Sequence, residues 1–79
     1  MTKQPYALFV DYLPLTGEIR RLMPPILIEA LNEEEASRIA SGIADFAFPE
    51  VCRGLLIRIT GPVEEGRVIG EIRRPKSEN

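Results

Sequence analysis

From Asn32 to Ala47 the chain reads N-E-E-E-A-S-R-I-A-S-G-I-A-D-F-A, and this stretch carries its helical signals. Ala36, Ile39, Ala40, Ile43, Ala44 and Ala47 recur at three- and four-residue steps, which places them on one stripe of an α-helix. Asn32 is a good N-cap, and Glu35 stands where its side chain can reach back to the Asn32 N–H, a variant of the capping box. Leu31 and Ala36 occupy the staple positions around that cap. Glu33, Glu34 and Glu35 put negative charge on the positive end of the helix dipole, and Pro49 stops the pattern. Glu34 and Arg38 lie one turn apart in the favourable order, a pair contributing about 0.2–0.5 kcal/mol. Four alanines in the stripe let the helix lie close on a sheet, with Ile39 and Ile43 supplying bulk.

The segments on either side alternate as strands do. Tyr6 to Leu13 is rich in aromatic and β-favouring residues; Tyr6, Leu8, Val10 and Tyr12 can face the core, leaving Ala7, Phe9 and Asp11 on the other side. Pro14 to Glu18, with Thr16-Gly17, reads as a hairpin loop. A second strand spans Ile19 to Ala30, but Pro24-Pro25 cannot donate to a ladder, so it is expected at an edge or as two short pieces around a bulge. Beyond the helix, Cys52 to Thr60 puts Leu55, Ile57 and Ile59 on one face and Leu56, Arg58 and Thr60 on the other. A loop from Gly61-Pro62 to Gly66 leads to Arg67 to Arg73, with Val68 and Ile72 expected inward and Arg67, Ile69, Glu71 and Arg73 outward.

The resulting expectation is an α+β fold of order ββαββ: a single four-stranded, mostly antiparallel sheet with one amphipathic helix packed on one face. The chain of 79 residues is read as one small domain, with 1–5 and 74–79 as flexible tails. A domain of this length buries a modest fraction of its surface, so association would stabilise it.

Several classes of chemistry are disfavoured. There is no histidine, which removes the commonest general base and metal ligand. Cys52 is the only cysteine and reads as a small buried residue, with a thiol activated by Arg53 as the lesser alternative. Glu33 to Glu35 point in three directions on a helix and suit its dipole better than a cation. Ser37 and Ser41 have no base in reach of the pattern, and Gly61, Gly66 and Gly70 match neither a dinucleotide fingerprint nor a P-loop. No catalytic residue, metal or cofactor is therefore expected. Gly42 costs about 1 kcal/mol relative to alanine inside a helix and lies away from the stripe. Asp11 is a lone acid on its strand, with surface or cross-strand pairing as its default role.

No apolar run approaches the roughly 20 residues needed to span a bilayer. The N-terminal M-T-K-Q-P-Y lacks an apolar signal-peptide core, and Cys52 has no intrachain partner, so a cytoplasmic protein is expected. The net charge is −2, which argues against a generic nucleic-acid binder. Arginines nevertheless outnumber lysines, and the C-terminal strands form the basic end.

A single helix covers one sheet face, so the outer face must be polar or covered by something else. That face is expected to mix Phe9, Leu27, Leu56 and Ile69 with Arg58, Arg67 and Arg73. Apolar residues ringed by arginines suit a protein interface, and these seven form the expected partner-binding set. The string E-A-L-N-E-E-E-A-S-R-I-A, Glu29 to Ala40, resembles the strand-to-helix passage of HicB-type antitoxins. The proline- and glycine-containing segment that precedes it in those antitoxins is not evident in this chain. The short acidic ββαββ layout is also similar to some small phage-encoded inhibitors, including anti-CRISPR proteins. The reading is a non-catalytic protein-interaction module acting as a homodimer, or as an inhibitor or adaptor of a larger protein. The alternative is a nucleic-acid-associated or antitoxin-like regulator using its surface arginines.

Overall fold

The computed structural model describes residues 2–14, 16–49, 51–61 and 66–75. Its elements are β1 (Gln4–Tyr12), β2 (Arg20–Arg21), β3 (Ile26–Ala30), α1 (Glu33–Ala47), β4 (Leu55–Thr60) and β5 (Val68–Arg74). The expected α+β class and strand–helix order hold, and the pairing is antiparallel throughout. Among the described residues the sheet has five strands: the expected four, with the second divided at Pro24-Pro25 into two short pieces, β2 and β3, both on the same side of β1. Asp11 pairs with Arg21 and Leu8 with Ile26, so two residues of β1 span four on the other strand. The surplus is even, so side-chain alternation is the same on both sides of the break.

β1 is central, flanked by β2 and β3 on one side and β4 on the other, with β5 beyond β4. Because β3 and β4 both run against β1, they are parallel to each other, and α1 crosses β1 to join them. Two segments assigned above to the tails belong to the sheet: β1 begins at Gln4, and Arg74 ends β5 at 6% exposure. Met1 and residues 76–79 lie outside the described residues. No helix among the described residues is long and apolar enough to cross a membrane.

The helix starts where its cap dictates: Asn32 is extended, and its side chain accepts from the Glu35 N–H at 2.8 Å. The core lies between α1 and the sheet, filled by Tyr6, Leu8, Val10, Ile28, Leu55, Ile57 and Ile59 against Ala36, Ala40 and Ala44. The alanines are the buried contact, while Ile39 and Ile43 pack half-buried at its flanks and Ala47 is exposed. The stripe is thus narrower than expected, because a close-lying helix buries only the residues nearest the sheet. At its far end Arg74 reaches from β5 to Asp45 at 3.5 Å, bringing a cation to the negative end of the helix dipole.

Two glycines answer to geometry. Gly54 has φ +79°, a conformation that favours glycine, and accepts from the Leu13 N–H at 2.7 Å. A Cβ on Gly70 would stand 3.0 Å from the Ile59 side chain, at the point where the β4–β5 register shifts.

Candidate interaction face

The face of the sheet opposite α1 is built by strand alternation. Pairing across β2, β1, β4 and β5 sets Arg21, Asp11, Leu56 and Arg73 in one row. The next row holds Phe9, Arg58 and Glu71, and the one after it Leu27, Ala7, Thr60 and Val68. Asp11, expected to be a surface or cross-strand acid, is only 1% exposed and lies at the centre of this face.

Each oxygen of Asp11 holds a different arginine. Arg21 donates from Nε to Oδ1 at 2.5 Å, and Arg58 donates from Nη2 to Oδ2 at 2.5 Å. The Arg21 guanidinium also lies over the Phe9 ring, 4.4 Å from its centroid, where the ring quadrupole attracts the cation. Arg73 donates from Nε to Glu71 at 2.5 Å. Arginine stems are apolar along most of their length, so side chains that reach carboxylates across strands also shield what lies beneath. Leu56 and Ala7 are each 2% exposed on this face, although the described residues place no second layer over it. The outer face is therefore closed by its own ion-paired side chains.

Five of the seven expected residues share this face: Phe9, Leu27, Leu56, Arg58 and Arg73. Their exposures differ. Leu27 is 72% exposed, Phe9 is half-buried under Arg21, and Leu56 is buried, so Leu56 is a floor rather than a contact.

Ile69 and Arg67 are displaced from the expected outer face. Ile59 pairs with Gly70 but Thr60 pairs with Val68, so Ile69 is an extra residue in β5. This bulge turns Val68, expected inward, to the outer face, and sends Ile69 to pack against the core under α1. Arg67 extends instead to Glu33 in the first turn of α1, where it forms an ion pair. The signal available in the sequence was Gly70, since a glycine inside a strand commonly marks a bulge. Sequence reasoning also left Arg21 out of the set, because nothing local reveals that it meets Asp11. Two strongly exposed apolar residues, Phe46 and Val51, lie outside this face and were likewise not singled out.

On the helix side, α1 packs chiefly over β3 and leaves a groove of about 210 Å³ toward β4 and β5. Its floor is Ile57, Ile59 and Ile72, and its wall is Ser37, Ala40 and Ser41. Among the described residues, no group of three or more His, Cys, Asp or Glu side chains could hold a metal ion. Cys52 is a free cysteine, half-buried at the edge of the core.

No family model matches this chain, and neither a curated protein nor a solved structure matches it. Its function is therefore read from its own residues.

Proposed function

We propose that this protein is a non-catalytic interaction module whose outer sheet face meets the surface of another protein, either a second copy or a larger partner. The observation that carries this reading is the arginine arrangement on Asp11. Arg21 and Arg58 are held by a buried carboxylate, and Arg21 by an aromatic ring as well, yet their side chains remain 45% and 32% exposed. Two planar donor groups are thus fixed in place before any partner arrives, and less side-chain entropy is lost on binding. Exposed Leu27 and Val68 lie on the same face and supply apolar contact beside them.

Charge favours a protein over nucleic acid. Asp11 offsets one of its two arginines and Glu71 offsets Arg73, leaving a local surplus of one positive charge. Phosphate-backbone binding draws its strength from many uncompensated cations. One surplus charge between half-exposed arginines suits a carboxylate or a carbonyl on a protein surface better.

A photo-crosslinking residue placed at Leu27, with a control at Phe46 on the helix, tests this in cells expressing the protein. Protein adducts from position 27 and few from position 46 are the expected result. Adducts to RNA or DNA from position 27, or protein adducts from position 46 alone, would replace this reading.

A further inference from the structure

We infer that β5 is a self-complementary edge through which two copies pair antiparallel about Ile72, joining their sheets into one. This concerns the strand edge and stands apart from the reading of the outer face.

Among the described residues β5 is the last strand on its side of the sheet. The Leu13 N–H donates to the Gly54 carbonyl at 2.7 Å, one step beyond the Tyr12–Leu55 pair. Hydrogen-bonded pairs alternate along an antiparallel ladder, so Leu56, Arg58 and Thr60 turn their N–H and C=O groups toward β1. Leu55, Ile57 and Ile59 then turn theirs toward β5, where they face Arg74, Ile72 and Gly70. Glu71 and Arg73 are left presenting their backbone groups to the open edge.

Two features bracket this edge: the bulge at Ile69 and Pro75, which has no N–H to donate. Three antiparallel registers bring outward-facing groups together near its centre. Pairing Glu71 with Glu71 of the second copy sets like charges opposite and draws Ile69 into the ladder. Pairing Arg73 with Arg73 again opposes like charges and spends a bonding position on Pro75. Pairing Glu71 with Arg73 of the second copy opposes unlike charges twice, by symmetry, and uses neither the bulge nor the proline.

In that register Ile72 lies opposite Ile72 of the second copy on the helix side, closing the open flank of the groove beside it. The Glu71–Arg73 ion pair within each strand becomes a square of alternating charge on the outer face. The contact is isologous, as a two-fold dimer requires, and the edge that is bracketed against indiscriminate pairing accepts a copy of itself.

Charge reversal tests the register. Glu71→Arg presents two cations at the edge and Arg73→Glu two anions, so each variant alone should lose self-association by roughly tenfold or more, the effect of turning opposite-charge pairs into like-charge ones. An equimolar mixture of the two should dimerise again in sedimentation velocity, because unlike charges then meet at both positions. Amide exchange on the unaltered protein gives a readout independent of whether the variants fold: protection of the Glu71 and Arg73 amides should rise with concentration, while that of Ile72 stays constant. A wild type that remains monomeric into the millimolar range overturns the inference. So does a dimer that both variants form as readily as the wild type, or exchange at Glu71 and Arg73 that is independent of concentration; a dimer of either kind crosslinked through Leu27 would leave the outer-face reading standing.

Discussion

Arg58 donates to Asp11 at 2.5 Å across the β1–β4 pair, on a sheet face over which the described residues place no other layer. Forty-seven residues separate the two in sequence, and Arg21 occupies the other oxygen of the same carboxylate. Side chains that a linear reading treats as solvated charges thus form the lid of the outer face.

Removing the carboxylate should therefore be costly. Breaking a fully buried ion pair by deleting one partner costs about 3–5 kcal/mol, but Arg21 and Arg58 are partly exposed and can turn to water, so about 2–3 kcal/mol is expected for Asp11→Ala. Asp11→Asn, which keeps the shape and one acceptor, should fall between that variant and the wild type in urea denaturation. An Asp11→Ala protein as stable as the wild type would mean that the two arginines contribute nothing to closing this face.

Leu56 and Leu27 share the outer face but should respond oppositely to the same change. Leu56→Glu buries a charge at a position 2% exposed and should unfold this small domain, whereas Leu27→Glu, at 72% exposure, should leave the melting temperature nearly unchanged. Circular dichroism of the two variants separates floor from contact surface.

Overpacking should be felt more than truncation along α1. Ala44 is fully buried against the sheet, so Ala44→Leu should destabilise by about 3 kcal/mol or more, the upper end of the overpacking range. Ile43 is only half-buried at the flank, so Ile43→Ala is expected near the lower end of the roughly 2–5 kcal/mol seen for core positions. If Ile43→Ala proves the worse of the two, the helix is rotated from the face described.

Gly42 is exposed, and a Cβ there would meet nothing within 4 Å. Gly42→Ala should then stabilise the helix by about 0.5–1 kcal/mol. A loss of stability would show that the glycine serves a contact made outside the single chain.

The cap offers a final check. Asn32→Ala removes the acceptor for the Glu35 N–H and should cost about 1 kcal/mol. Asn32→Asp, which keeps an acceptor and adds negative charge at the helix start, should retain most of that stability when the variants are compared by thermal melting.

Features set by near neighbours were legible in the residues themselves. The Asn32 cap, the alanine stripe, the alternation of Tyr6, Leu8 and Val10, and the interruption at Pro24-Pro25 all follow from helical or strand periodicity and from backbone chemistry that acts over a few residues. What required the folded chain was register. One extra residue at Ile69 reverses the facing of the residues just before it, taking Ile69 and Arg67 off the outer face and putting Val68 on it. Likewise Asp11, Arg21 and Arg58 lie on three strands, and only the pairing of β1 with both β2 and β4 brings them within hydrogen-bonding distance. Side-chain facing along a strand has a period of two, so local pattern can name the faces; which residues meet across strands depends on loop lengths and bulges, whose effect is settled only when the whole sheet closes.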